Sequence, residues 1–214
     1  MPRTRIKVCG ITRTADASAA VAAGADALGV VLAPSPRQVT LEQGEAVLAG
    51  VSPLVTRVGV FVDAKPAFVA EAVARLGLGA VQFHGSETPE ACAAAAAPVI
   101  KAFRVGPGFA AAEVERYAGT VAAVLLDAFE PGVAGGTGRT FDWEAARLVP
   151  DWAPLILAGG LTAENVGAAV AALHPFAVDV SSGVEVSPGI KDHDRIRLFV
   201  AAVHAADDEE LHHV

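Results

Sequence analysis

The stretch PLILAGGLTAENVGAAVAALHPFAVDVSSG, residues 154–183, contains the pattern that decides the fold. Two apolar runs, at 154–160 and 176–182, flank an Ala-rich segment of helical period, and each run ends in small residues. Both runs are apolar along their length, as is typical of strands buried on both faces. Because parallel neighbours need a crossover of a dozen or more residues, the stretch predicts a strand, a helix and a second, parallel strand.

The same alternation recurs along the whole chain, with Ala-rich helical segments between short apolar runs. Eight runs are predicted as strands: RIKVC (5–9), ALGVVLA (27–33), TRVGVFV (56–62), AVQFH (80–84), VIKAFRV (99–105), VAAVLLD (121–127), PLILAGG (154–160) and FAVDVSS (176–182). Eight such units predict an α/β protein with a single-domain (β/α)8 TIM barrel. An open doubly wound sheet is the alternative, although the first strand-to-helix turn, CGITR, lacks the GxGxxG dinucleotide fingerprint.

The length of 214 residues, 53% of them hydrophobic, suffices for one sizeable core. We expect one barrel domain over residues 1–206. The charged C-terminal segment, residues 207–214, loses the helical period and is predicted to be a frayed tail.

The net charge of -8 argues against nucleic acid or an anionic membrane as a partner, because both need clustered Lys and Arg. The N-terminus lacks the apolar core of a signal peptide, and no apolar run approaches the roughly 20 residues that span a bilayer. These features predict a cytoplasmic protein in which Cys9 and Cys92 are free thiols. A monomer and a homodimer are both compatible with the sequence.

Polar residues occur at most of the predicted strand ends, where barrel enzymes place their working side chains. They are Cys9, Ser35, Arg37, Asp63, His84, Arg104, Asp127, Ser181 and Ser182. The loops after the seventh and eighth strands often bind phosphate in this fold, through backbone N–H groups that glycine leaves accessible. The predicted phosphate site consists of Gly159, Gly160, Ser181, Ser182 and Gly183.

Seven segments of the chain match one enzyme family: KVCGITR (7–13), GVFVD (59–63), QFHG (82–85), LLDA (125–128), GGTGRTFDW (135–143), LAGGL (157–161) and DVSSGVEVSPGIKDHDRI (179–196). Together they resemble the phosphoribosylanthranilate isomerases of tryptophan biosynthesis, in register up to the last helix. The resemblance implies a barrel that converts N-(5-phosphoribosyl)anthranilate to 1-(2-carboxyphenylamino)-1-deoxyribulose 5-phosphate. This Amadori rearrangement needs neither metal nor organic cofactor.

The resemblance also implies two catalytic residues. Asp127 matches the general acid that protonates the furanose ring oxygen, and Cys9 matches the general base that removes the C2 proton. An acid at neutral pH needs an Asp pKa well above about 3.9, whereas a thiolate base needs a Cys pKa below about 8.5. Without the resemblance, Cys9 could be a small core residue and Asp127 a helix cap.

Three more residues match substrate-binding positions of the family. Arg37 matches the arginine that binds the anthranilate carboxylate, although its loop is one residue shorter than in many relatives. His84 matches a position lining the pocket, and Asp179 matches one that can orient the opened sugar hydroxyls. Cys92 lies in an Ala-rich helix and is assigned no role.

Two other functions are weighed against this one. The histidine-pathway isomerase performs the same class of reaction, but its first strand ends in Asp where this chain has Cys9. A barrel that binds a phosphorylated ligand without catalysis would have little need for both Cys9 and Asp127.

The glycine-rich segment after the sixth strand, 128–141, predicts a lid with hinges at Gly135, Gly136 and Gly138 and a helix N-cap at Asp142.

Overall fold

The computed structural model describes residues 3–106, 109–127, 146, 149–150 and 152–211. The predicted lid, with Gly135, Gly136 and Gly138, and the predicted N-cap Asp142 lie outside the described residues.

Eight parallel strands form a closed barrel in chain order, and the first strand pairs with the eighth. The strands are Arg5–Cys9 (β1), Ala27–Val31 (β2), Thr56–Phe61 (β3), Ala80–Phe83 (β4), Val99–Arg104 (β5), Ala123–Asp127 (β6), Leu155–Ala158 (β7) and Ala177–Val180 (β8). The predicted (β/α)8 barrel is therefore confirmed and the open sheet is wrong.

The described α-helices are Thr14–Ala23 (α1), Leu41–Leu48 (α2), Pro66–Leu76 (α3), Pro89–Ala93 (α4), Ala111–Glu115 (α5), Val166–Leu173 (α6) and His193–Leu211 (α7). Their ends follow local sequence signals: Thr40 and Gln43 form a capping box at α2, and Gly24 ends α1 in the left-handed region. None of these helices is long and apolar enough to cross a bilayer.

Helix α7 continues beyond residue 206, where the domain boundary is predicted. Residues 207–211 are helical, and the carboxylate of Asp207 accepts hydrogen bonds of 2.8 Å from the backbone N–H and the hydroxyl of Thr4. Helix α7 therefore packs its C-terminal part against the residue that precedes β1. The extent of the domain stays a prediction.

The barrel interior is filled by small and medium apolar side chains in its lower layers: Ala27, Val58, Ala80, Ile100, Ala102, Ala123, Leu125, Ile156, Ala158 and Ala177. Because side chains alternate along a strand, Asp127 follows Ala123 and Leu125 on the inner face, and Asp179 follows Ala177. The inner face therefore changes from apolar to polar toward the carboxyl ends of the strands. A second core lies between the strands and the helices.

A short antiparallel hairpin follows β8 and was not predicted from the sequence. It consists of a 3₁₀ turn at Ser182–Val184, strand β9 at Glu185–Ser187 and strand β10 at Ile190–Lys191. Gly189 has a φ of 81° in the turn between the two strands, a conformation that favours glycine. The hairpin brings two charged residues, Glu185 and Lys191, into the protein interior.

Candidate active site

The predicted catalytic residues lie at the carboxyl ends of two strands on the barrel's inner face. Cys9 is the last residue of β1 and Asp127 the last of β6. The carboxyl of Asp179 interacts electrostatically with both, that is, with the carboxyl of Asp127 and with the thiol of Cys9. The fold thus assembles three residues that are far apart in the sequence at one end of the barrel.

The thiol of Cys9 occupies space that a neighbouring glycine leaves open. Gly29 is paired with Cys9 across β1 and β2, and a Cβ on Gly29 would lie 2.8 Å from the Cys9 sulfur and 3.3 Å from Cε of Lys7. Such distances are too short for ordinary contact, so any larger residue at position 29 would displace the two side chains. Gly29 is thus part of the site through its missing side chain.

Lys7 and Asp179 form a buried ion pair beside Cys9, with Lys7 Nζ 2.9 Å from Asp179 Oδ1. Burial alone would lower the pKa of Lys7, but Asp179 and Cys9 outweigh burial and hold it above the usual value. Lys7 is therefore an ammonium group at neutral pH. Among the nearby cations, Lys7 lowers the pKa of the Cys9 thiol most. The sequence alone did not identify this neighbour.

The pKa of Cys9 does not move in the direction that a thiolate base requires. Burial raises it, and the nearby ammonium groups of Lys7 and Lys191 offset this only in part. At neutral pH the neutral thiol is therefore the favoured form of Cys9 in this structure.

Asp127 faces His84 at the mouth of the barrel. His84 Nε2 lies 3.3 Å from Asp127 Oδ2, and both side chains are about one fifth exposed. On the other edge of the ring, Gln82 Nε2 lies 3.3 Å from His84 Nδ1. With the Gln82 amide as donor, Nδ1 accepts, so Nε2 carries the ring proton toward Asp127.

Gln82 is 2% exposed, and within the described residues its Oε1 atom is buried without a hydrogen-bond partner. Sequence reasoning did not single out this glutamine.

Arg37 lies in the loop between β2 and α2 and is held by a carboxylate of the hairpin. Its Nε and Nη2 donate to Glu185 Oε1 and Oε2 at 2.8 and 2.6 Å, a bidentate pair. The side chain passes over Gly10, where a Cβ would overlap with Arg37 Cδ and lie 3.0 Å from Ser181 Oγ. Arg37 is thus brought next to Cys9 and the start of the predicted phosphate loop.

Lys191 links three parts of the site through one ammonium group. It donates to the carbonyl oxygens of Cys9 and Ser181, at 2.5 and 3.1 Å, and to Glu185 Oε1 at 2.9 Å. Burial lowers the pKa of Lys191, and Glu185 acts against this lowering.

The two predicted phosphate loops contact each other. Gly159 and Gly160, after β7, have φ values of 88° and 64°. Gly183, after β8, faces the carbonyl oxygen of Leu161 so closely that any side chain at position 183 would overlap with it. The structure therefore brings Gly159, Gly160, Ser181, Ser182 and Gly183 to one corner of the barrel mouth.

The family model described as N-(5'phosphoribosyl)anthranilate (PRA) isomerase matches residues 6–202. The chain belongs to this family. The matched range includes all of β1 except Arg5, the hairpin and both predicted phosphate loops.

Several relatives match nearly the whole chain. The N-(5'-phosphoribosyl)anthranilate isomerase of Pseudomonas savastanoi pv. phaseolicola is 50% identical over 207 residues, covering 95% of this chain and 99% of the relative. The crystal structure of phosphoribosyl anthranilate isomerase from Thermotoga maritima has a TM-score of 0.83 at 39% identity, covering 94% of this chain and 99% of that one. Another isomerase structure, solved with reduced 1-(o-carboxyphenylamino)-1-deoxyribulose 5-phosphate, has a TM-score of 0.80 at 38% identity, with the same coverage.

Sequence reasoning missed five residues of this candidate site: Lys7, Gly29, Gln82, Glu185 and Lys191. Two signals were present. Lys7 is a charged residue inside an apolar strand, and Glu185 and Lys191 lie within the longest family segment, 179–196. A buried Lys or Glu needs a charged partner, but the sequence does not show which residue that partner is.

Proposed function

We propose that this chain catalyses the Amadori rearrangement of N-(5-phosphoribosyl)anthranilate, with Asp127 as general acid and Cys9 as general base. The observation that carries the proposal is the placement of these two side chains at the carboxyl ends of β1 and β6 in a chain of this family. Both lie where barrel enzymes place their working groups.

The reaction needs two proton transfers, and the site supplies one group for each. Asp127 donates a proton to the furanose ring oxygen, the C1–O bond breaks, and the nitrogen lone pair forms a protonated imine at C1. Cys9, as thiolate, then removes the proton from C2 and gives an enolamine, which tautomerises to 1-(2-carboxyphenylamino)-1-deoxyribulose 5-phosphate. C1 is reduced and C2 is oxidised within the same substrate molecule, so no external oxidant or reductant is needed, and we expect no cofactor and no metal.

The raised pKa of Cys9 makes its activation a distinct part of the proposal. The thiol must lose a proton before it can act as a base, and the Lys7 ammonium group beside it stabilises the resulting thiolate. We therefore expect the active fraction of the enzyme to increase as the pH rises above neutral.

The substrate's two anionic ends match two parts of the barrel mouth. Arg37 binds Glu185 through Nε and Nη2, which leaves the Nη1 side of its guanidinium for the anthranilate carboxylate. Gly159, Gly160, Ser181, Ser182 and Gly183 form the phosphate loops. Asp179 and His84 are the proposed partners of the opened sugar.

The test measures turnover of synthesised N-(5-phosphoribosyl)anthranilate as a loss of anthranilate fluorescence. Cys9→Ala and Asp127→Asn are each expected to lower kcat by about 10²–10⁴, the usual contribution of a general acid or base. Cys92→Ala serves as the matched control, because Cys92 is a buried thiol of α4 outside the site, and it should retain wild-type kcat. Unchanged turnover in Asp127→Asn would show that another group is the acid.

The relative solved with reduced 1-(o-carboxyphenylamino)-1-deoxyribulose 5-phosphate supports a phosphorylated small molecule as the substrate. A monomer or homodimer, located in the cytoplasm, stays a prediction.

A further inference from the structure

We infer that Glu185 and Lys191 are positioning residues that fix Arg37, the end of β1 and the end of β8 as one unit. This set of three charged residues, Arg37, Glu185 and Lys191, is called the hairpin cluster below. The inference rests on the proposed function, because it assigns the cluster a part in binding the substrate carboxylate.

The first step is the orientation of Arg37. A carboxylate that accepts two parallel N–H bonds fixes both the position and the plane of a guanidinium group. Glu185 is 6% exposed, and its Oε1 also accepts from the Gly189 N–H and from Lys191, so the carboxylate is itself held in place. Glu185 therefore determines which edge of Arg37 is directed toward a ligand.

The second step concerns the loop that carries Arg37. The backbone N–H of Arg37 donates to the hydroxyl of Ser35 at 3.1 Å, and Gln38 forms an isolated β-bridge with Val31 at the end of β2. The loop is short and closes on itself directly beyond Arg37. From this loop the arginine side chain extends over Gly10, where it meets the carboxylate of Glu185.

The third step is the link from Arg37 to the catalytic strand. Lys191 pairs with the same carboxylate and also donates to the carbonyl oxygens of Cys9 and Ser181. One ammonium group therefore joins the residue proposed as base, the first residue of the phosphate loop and the partner of Arg37. A shift of the hairpin would move all three.

The fourth step is the charge of the cluster. Two cations share one carboxylate, which leaves one positive charge that Glu185 does not neutralise. A buried cluster with one excess positive charge favours an anion at its open side. The Nη1 edge of Arg37 is the part of the cluster that does not face Glu185, which fits the substrate carboxylate.

The test is a double-mutant cycle on KM with Glu185→Gln and Arg37→Met. A glutamine side chain has an NH₂ donor in place of one carboxylate oxygen, so it cannot accept the two parallel guanidinium bonds on two separate oxygens. Glu185→Gln is expected to raise KM about tenfold or more, while kcat stays within about threefold of wild type. In the Arg37→Met background the same substitution should change KM little, because it acts through Arg37.

Two further variants separate positioning from stability. Lys191→Met should lower kcat as well as raise KM, because Lys191 also holds the carbonyl of Cys9, and it serves if Glu185→Gln does not fold. Arg57→Met is the control: Arg57 donates to the carbonyls of Leu76 and Val51 at the opposite end of the barrel, and its loss should leave KM unchanged.

Three outcomes would overturn the inference. In the first, the KM of the Glu185→Gln/Arg37→Met double variant is raised by the product of the two single effects. In the second, Lys191→Met has wild-type kcat and KM. In the third, a crystal structure of Glu185→Gln shows Arg37 still over Gly10. The crystal structure tests the pose of Arg37 without turnover. A wild-type protein that does not convert the substrate would instead contradict the proposed function.

Discussion

The two halves of the candidate site are built differently. The base half, formed by β1, β8 and the hairpin, contains Cys9 among paired charges that are almost completely buried. The acid half, at the ends of β4 and β6, contains Asp127 and His84, which are about one fifth exposed and lie 3.3 Å apart. Buried ion pairs therefore fix the surroundings of Cys9. Asp127, in contrast, remains open to water, from which it can regain the proton it donates.

The acid half has its own buried ion pair, but on the other side of the barrel wall. Lys101 points away from the interior, with its Nζ 3.0 Å from Glu87 Oε2 and 2.7 Å from the carbonyl of Gly85. Glu87 in turn accepts the N–H groups of Asp63 and Gly85. The buried ion pair of the acid half therefore holds the loops from outside the barrel, whereas the ion pairs of the base half lie inside the site.

The largest expected effect is on the interior pair of the base half. Lys7→Met would leave the carboxyl of Asp179 buried without its partner, so we expect a loss of about 3–5 kcal/mol in the free energy of unfolding. Urea denaturation followed by circular dichroism measures this loss. Arg75→Met is the control, because its three ion pairs with Glu42, Glu45 and Glu71 are exposed and should contribute little. Equal losses in the two variants would mean that the Lys7 pair is not a special feature of the base half.

A smaller effect is expected from filling the space beside the base. Gly29→Ala should lower the free energy of unfolding by about 1–3 kcal/mol, because its methyl group would lie 2.8 Å from the Cys9 sulfur. Displacing the thiol by about 1 Å should reduce kcat by up to about 100-fold. Gly50→Ala is the matched control, since a Cβ there meets nothing within 4 Å. Wild-type kcat in Gly29→Ala would show that the position of the thiol is less restricted than the base half suggests.

The smallest effect is the response of the two buried thiols to pH. Burial raises the pKa of Cys9 and also raises that of Cys92, to about 11. The folded protein therefore retains these protons at a pH where the unfolded chain loses them, so stability should fall as the pH rises above about 8.5. Each thiol should contribute a slope of no more than about 1.4 kcal/mol for each pH unit.

Denaturation of the wild type, Cys9→Ala and Cys92→Ala between neutral and alkaline pH checks this expectation. Each substitution should make the alkaline loss less steep. A slope that does not change in Cys9→Ala would mean that the cations of the base half hold the thiol pKa near its ordinary value.

The fold could be predicted because its signals are local. Strand β1 has the predicted limits, residues 5–9, and the other strands end within a few residues of the predicted positions. Buried parallel strands are apolar along their length, so each one is visible in a few consecutive residues. The closing of the barrel then brings Cys9 and Asp127 to the same end, as the strand-end rule predicts.

The rest of the site depends on contacts that no local pattern contains. Lys7 and Asp179 are 172 positions apart, and Lys191 and Cys9 are 182 apart. Gly29 matters because of the side chain it lacks, and this becomes visible only once β2 lies beside β1. The direction of the Cys9 pKa shift likewise depends on burial and on cations from distant segments.

The contacts that join β1 to β8 and the hairpin also set an order of events during synthesis. Cys9 leaves the ribosome before Asp179 and Lys191, which lie 170 and 182 positions later in the chain. At bacterial or eukaryotic elongation speeds, the last partner follows the first by roughly 10–40 seconds. Until then Lys7 has no carboxylate to pair with, so a nascent chain that already contains Cys9 and Asp127 does not yet have the base half of the site.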